Sequence, residues 1–450
     1  MNWIVNKKTM FGVALLFATS FSVNAAKYSF KVANADPDSK VILTWRATGE
    51  KDTVNIINGE GIIEKKDFKA QYVIFAFGRS SRMMYLEPDK DLTISFNANE
   101  FNKDVVFQGA NAGINTYLNT SRFKRQNFQD AQKDEKAFIN HADSIYHVNM
   151  TFLQNTPSLP AYFVKIESQR LKYLSYSQFP LYPSFRKYLL KTDSLVVNEI
   201  YYDKLKELSE VNGALLDCPE YKDFILNSIL GQMLKNGKAA DYQQQFIDYV
   251  SANVKDEAVL EYIVDSYIYN QVSNNGIDNA DKYISFYHQT VKNPLQINRF
   301  NKLCMQWEKL KKGSISPTFS CLDINGNRVS LSDLKGKLVY IDVWATWCGP
   351  CRGELPHLKK LEETFAEKEI AFVSISCDKD KKAWEKMVKS RNMKGIQLHI
   401  GDDRSFMDAY LIKGIPRFIL LDQEGRIVEA DAMRPSNPKI SELFNELLSK

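Results

Sequence analysis

The sequence predicts a multidomain chain: an N-terminal antiparallel β domain, a central all-α domain and a C-terminal α/β domain. Three observations carry that reading. At 450 residues the chain exceeds what one ordinary core organises. Its apolar residues recur with a β-like period up to about residue 110, at helical intervals up to about residue 310, and in alternating strand and helix runs beyond. The last region also holds a single C-x-x-C pair, set between an apolar strand-like run and a helix, in "LVYIDVWATWCGPCRGELP".

The composition is that of a globular protein, with 44% hydrophobic, 25% charged and 12% aromatic residues. The formal charge is +5, and Lys7 and Lys8 supply two of those charges. So weak a bias gives no reason to expect nucleic acid or an anionic membrane surface as a partner. Lys7 and Lys8, the apolar run "MFGVALLFA" and the small-residue end Val23-Asn24-Ala25 have the layout of a cleaved signal peptide over residues 1–25. The apolar run is shorter than the roughly 20 residues a membrane span needs. Export to the periplasm or cell envelope is therefore expected. In an oxidising compartment six cysteines in so long a chain are too few for a disulfide scaffold. Cys218, Cys304, Cys321 and Cys377 stand singly among apolar neighbours and read as buried, inert thiols, with a Cys304–Cys321 bridge left open.

Residues 27–110 contain the short runs "YSFKV", "KVILTWRA", "YVIFAFG" and "DLTISFN", punctuated by Asp36-Pro37, Asn58-Gly59 and Pro88-Asp89. Such regular spacing without helical pattern suits a small antiparallel sandwich. Residues 111–310 then carry runs such as "DEKAFINHADSIYHVNMTFL" and "EAVLEYIVDSYIYNQV", separated by prolines and by Asn274-Asn275-Gly276. Their many aromatics at helical spacing read as packing surface rather than a cofactor site. His141, His147 and His288 lack ligand-like neighbours, so no metal is assigned.

"KLKKGSISP" reads as a linker into the final domain, residues 313–450. There Asn325-Gly326 predicts a tight hairpin in which both central residues have positive φ. Strands are expected at 338–344, 370–376, 396–400, 416–422 and 426–430, with helices at 351–367, 381–390, 405–411 and 438–448. Strands interleaved with helices give a central sheet covered by helices.

A cysteine at the start of a helix meets unpaired N–H groups and the positive end of the dipole. Both favour thiolate over thiol, which makes Cys348 the nucleophile. Gly349-Pro350 forms the turn into the helix, and Cys351 is near enough to resolve a mixed disulfide on Cys348. Zinc would need a second Cys/His pair at suitable spacing, and none follows.

With "VWATWCGPC" and the distant "KGIPRF", the region resembles the thioredoxin fold. Its full context "SPTFSCLDINGNRVSLSDLKGKLVYIDVWATWCGPCRGELP" is similar to the exported TlpA/ResA-type thiol:disulfide oxidoreductases of the AhpC/TSA-redoxin kind. The β and helical regions, with "VVFQGANAGINTYL" near their junction, resemble a Bacteroidetes-type N-terminal extension of such proteins. The resemblance implies that Cys348 attacks and Cys351 resolves. Asp342 matches the buried acid that relays a proton to or from the resolving cysteine, and a carboxyl within an apolar strand should have a raised pKa. Pro416 matches the cis-proline facing the cysteines, which offers the backbone of Ile415 to a substrate peptide. Trp347 matches the aromatic beside the sulfur, and Pro356 the kink of the active-site helix. Glu354 matches a glutamate that ResA-like members place by the site, while His357 reads as a solvated side chain.

The sequence departs from the ResA pattern in two places. Gly349-Pro350 between the cysteines and the acid at Asp342 are thioredoxin choices, and both point to a general disulfide reductase. Pro416 lies 65 residues after Cys351, a gap longer by about one βα unit than in a minimal thioredoxin, as in TlpA/ResA-like proteins. The expected partners are disulfide-bearing envelope proteins and a membrane electron donor of DsbD/CcdA type, with no cofactor. Two alternatives stay open. One is a peroxiredoxin-like thiol peroxidase, although Thr346-Trp347-Cys348 is one residue short of that motif and Asp342 replaces its proline. The other is a client-binding envelope protein with an accessory redox domain.

Overall fold

The structure, a computed structural model, describes residues 25–120, 123–192 and 194–449. The expected signal peptide lies outside these residues but for Ala25. Among the described residues no helix is long and apolar enough to cross a membrane. The chain divides into two compact units, one ending at Lys238 and the other beginning at Ala239.

The first unit opens with two four-stranded sheets. One has the order 60–65, 26–33, 92–97, 105–109; the other 51–55, 40–45, 71–77, 80–86. Alternate residues face inward, so Tyr28, Phe30 and Ile94 of one sheet meet Leu43, Trp45 and Phe75 of the other in a single core. The expected antiparallel pattern holds with one exception. Strand Ala26–Ala33 pairs in parallel with Leu92–Asn97, because the entire second sheet lies between them in sequence and serves as the crossover that parallel pairing requires.

Helices follow, and their starts are chemically marked. Asp134 accepts from the Ala137 N–H to cap Glu135–Gln154, and Pro219 is the first residue of Pro219–Met233. Tyr72 and Tyr85 of the second sheet share a core with Tyr117, Leu153, Phe163 and Leu171 of the first helices. The helices expected as one domain over 111–310 are thus divided between the two units, because the early ones complete the core of a sheet.

The second unit begins with helices Tyr242–Asn253, Glu257–Asn275, Asp281–Thr290 and Pro294–Glu308. A seven-stranded sheet follows in the order 328–330, 320–323, 396–399, 370–376, 338–344, 417–421, 427–429. Leu338–Trp344 and Ile370–Ser376 are buried at every position and pair in parallel, which accounts for their mostly apolar runs, interrupted only by Asp342, Ser374 and Ser376. Helices Gly349–Thr364 and Lys439–Leu448 cover one face, through Leu358, Leu361, Ile440 and Phe444 against Leu338, Tyr340 and Phe418.

Two local expectations are corrected. The supposed linker is strapped to the sheet edge: the Gly313 N–H donates to Ile427 O, the Ile427 N–H to Ser314 O, and the Ser316 hydroxyl meets Tyr410 Oη at 2.6 Å. Its polar backbone found an unpaired strand edge to satisfy. The hairpin at Asn325-Gly326 is a four-residue loop with positive φ only at Gly326. The Asp323 carboxylate accepts from the N–H groups of Asn325 and Asn327 and so replaces the tight turn.

Candidate active site

Strand Leu338–Trp344 ends in a loop, Ala345 to Trp347, that delivers Cys348 to the start of helix Gly349–Thr364. A buried carboxylate on the neighbouring strand end clamps this loop. Asp378 accepts from the Thr346 N–H at 2.9 Å, the Thr346 hydroxyl at 2.7 Å and the Ser376 hydroxyl at 2.7 Å. The Cys377 N–H adds a 2.9 Å bond to Trp344 O. Reading the sequence passed over Asp378; the available signal was an acid two residues past the end of a mostly apolar strand.

Cys348 is the N-cap of the helix, and its sulfur accepts from the Cys351 N–H at 3.2 Å. The two cysteines are joined as a disulfide, with Cα atoms 5.3 Å apart. They are 5% and 2% exposed, surrounded by Trp344, Ala345, Trp384 and Val388. Gly349 and Pro350 form the exposed first turn. The Ile415–Pro416 bond is cis, and Ile415 O lies 3.7 Å from Cys348 Sγ. Residues 67 positions apart thus meet at one sulfur. Trp347 stands in solvent, 70% exposed, outside the apolar cluster around the sulfurs.

Asp342 lies on the same strand face as Leu338 and Tyr340, beneath the active-site helix. It is 4% exposed, and its Oδ1 has no hydrogen-bond partner. Burial, reinforced by the negative charges of Glu354 and Glu362, pushes its pKa up to about 8. The acid is therefore neutral over most of the physiological range. Glu354 turns away from the sulfurs: its carboxylate accepts from the Ser436 N–H and hydroxyl, each at 3.0 Å. Its effect on the site is the charge it adds near Asp342. Pro356 lies inside the helix and removes one backbone donor there, while His357 is exposed.

The remaining cysteines are unpaired, Cys304 and Cys321 included. Burial pushes Cys218 up to about 12 and Cys321 up to about 11, and raises Cys304 and Cys377, so all four favour the unreactive thiol form. Among the described residues no group of three or more His, Cys, Asp or Glu is arranged to hold a metal ion.

A dithiol pair at a helix start, a buried acid beneath it and a proline loop opposite define a thioredoxin-fold thiol-disulfide oxidoreductase. The redoxin family model matches residues 311–447. ResA, the thiol-disulfide oxidoreductase of Bacillus subtilis, is 32% identical over 130 residues, covering 29% of this chain and 72% of the relative. A ResA of Bacillus cereus is 31% identical over 27% of this chain and 70% of its own. By these matches the chain belongs to the ResA family of thiol-disulfide oxidoreductases, through its C-terminal redoxin domain. Similar solved structures include a proposed thiol-disulfide oxidoreductase from Bacteroides vulgatus, 67% identical over 31% of this chain and 93% of its own, TM-score 0.29. The thioredoxin domain of a thiol-disulfide oxidoreductase from the same organism is 32% identical over 31% of this chain and 99% of its own, TM-score 0.29.

Proposed function

We propose that the protein is a cell-envelope disulfide reductase working through Cys348 and Cys351. The observation that carries this reading is Cys348 Sγ, capped by the Cys351 N–H and facing the Ile415 carbonyl. Amide donors at a helix start stabilise a thiolate there, and the open backbone at Ile415 gives a client strand something to pair with. The basic, apolar and small-residue order of residues 1–25 supports an envelope location.

In the reduced protein the Cys348 thiolate attacks one sulfur of a client disulfide. An S–S bond forms between Cys348 and the client, and the client's other sulfur leaves as thiolate. Cys351 then attacks Cys348 Sγ, which closes the Cys348–Cys351 disulfide and frees the second client thiolate. Two electrons have passed from the protein to the client. Asp342 in its ionised form, which its raised pKa keeps in exchange with the neutral acid near neutrality, takes the proton that Cys351 must lose before it can attack, and the departing client thiolate is protonated from water. A membrane dithiol donor of DsbD/CcdA type returns two electrons to the Cys348–Cys351 pair.

The test is capture and potential together. Cys351→Ser in the full chain stalls the cycle at the mixed disulfide, so envelope extracts yield adducts that dithiothreitol releases and that Cys348→Ser does not form. The Gly-Pro pair implies a potential near thioredoxin's, roughly −270 mV. A value above about −150 mV would reverse the assignment and make the protein an oxidant.

A further inference from the structure

We propose that the cleft beside Pro416 selects client segments carrying an acidic side chain close to the reacting cysteine, and that a helix preceding the redox domain builds one wall of that cleft. The inference rests on the reductase reading for the identity of its ligand, a disulfide-bearing peptide. The cleft encloses about 480 Å³, within the range of ordinary ligand sites. Pro416 and Arg417 contribute to its lining. They follow directly on Ile415, whose carbonyl lies 3.7 Å from Cys348 Sγ, so this part of the lining is one and two residues along the chain from the contact to the reacting sulfur.

Its charge is unbalanced. Lys413, Arg417 and Arg434 line it with three cations, against one carboxylate, Asp431, among the described lining residues. Arg417 is only 11% exposed; its Nη1 sits 3.2 Å from Asp431 Oδ2, yet it is not aligned for a hydrogen bond. A buried guanidinium donor without an aligned acceptor is costly, and an incoming carboxylate would supply one. Asp431 is itself largely exposed and therefore offsets little of the positive field.

The wall from the helical segment is Ser273 and Asn274, at the C-terminal end of helix Glu257–Asn275. The Lys413 ammonium donates to the Ser273 hydroxyl and lies 5.9 Å from the Tyr269 ring centroid. The helix thus holds the lysine of the proline loop at the cleft. A client strand pairing with Ile415 rises about 3.3 Å per residue, so the side chain that reaches these cations is about two residues from the client cysteine.

The experiment uses the full chain and three disulfide-linked peptides that differ only in Glu, Gln or Lys two residues after the cysteine. Each kcat/KM is read relative to the same protein's turnover of bis(2-hydroxyethyl) disulfide. The Glu peptide is expected to exceed the Lys peptide by about tenfold, falling toward parity at high salt. The double charge reversal Lys413→Glu with Arg434→Glu should invert the order, and Ser273→Ala should narrow it by about twofold. A second readout is independent of redox chemistry: anisotropy of the same labelled peptides, as single thiols, on the Cys348→Ser/Cys351→Ser protein. Equal kcat/KM for the three peptides, with the small disulfide still reduced, overturns the cleft and leaves the reductase reading standing. Tighter binding of the Glu peptide without turnover of any disulfide does the reverse. Equal binding together with no turnover overturns both.

Discussion

Glu167 in the first unit and Asp342 in the second are both buried carboxyls, 0% and 4% exposed, but they are treated in opposite ways. Glu167 accepts two bonds from the Arg170 guanidinium, at 2.5 and 2.7 Å, and further bonds from the hydroxyls of Tyr72 and Tyr117. Asp342 has no cation beside it, leaves Oδ1 without a partner, and faces the added negative charge of Glu354 and Glu362. A fully partnered buried charge fixes a geometry; an unpartnered buried acid keeps a mobile proton. The pair separates a carboxyl held charged within a network from one held neutral by burial.

The comparison breaks first, and by most, at Glu167. Glu167→Gln removes the bidentate partner of the buried Arg170 charge, leaving it only Glu220 at 3.7 Å, and should destabilise the first unit by about 3–5 kcal/mol. Urea unfolding of the intact chain would show this as an early transition; a shift under about 1 kcal/mol would mean the network contributes nothing beyond shape.

Asp342→Asn should act with the opposite sign on stability. The folded pKa of about 8 exceeds the ordinary carboxyl value, so the folded state holds a proton that the unfolded chain releases. Stability is then lost as pH rises from the unfolded value toward 8, and the variant escapes that loss. At pH 8 Asp342→Asn is expected to be more stable than the parent by a few kcal/mol, with the difference vanishing near pH 4. Its disulfide turnover should nevertheless fall by about 10²-fold, with the inflection near pH 8 gone from the rate profile. Equal turnover at all pH values would remove Asp342 from the proton path.

Asp378→Ala removes the acceptor of two bonds from Thr346 in the loop before Cys348 and of a third from Ser376 on the adjoining strand. A cost of about 1–3 kcal/mol is expected, with a several-fold loss of kcat that a thermal melt and a turnover assay report together. The smallest effect belongs to Trp347→Ala. An exposed ring changes stability by no more than about 0.5 kcal/mol, so the variant should melt with the parent while KM for a peptide disulfide rises. A large drop in melting temperature would mean the ring is part of the core.

Where the sequence was legible, a local pattern carried the information. Leu338–Trp344 announced a doubly covered strand by a run that is apolar except at Asp342, and prolines such as Pro219 marked the breaks between helices. Cys348 and Cys351 were readable because their spacing already encodes a mechanism. Asn325-Gly326 misled because a side chain two residues upstream, the Asp323 carboxylate, satisfied the amides instead of the tight turn. Glu354 could be matched by position, but not its bond to Ser436, 82 residues away. Asp378 had no motif around it at all.

The sequence by itself determined the succession of strand and helix, the redox pair and the acid in the central strand, since each follows from residues adjacent in the chain. Only tertiary structure decided what meets what. It brought Ile415 to Cys348, clamped Thr346 to Asp378, tied the segment before the redox domain to a sheet edge, and left Asp342 without a partner. The physical reason is that a proton affinity or a positioned loop depends on burial and on groups remote in sequence, and neither is written in the spacing of neighbours.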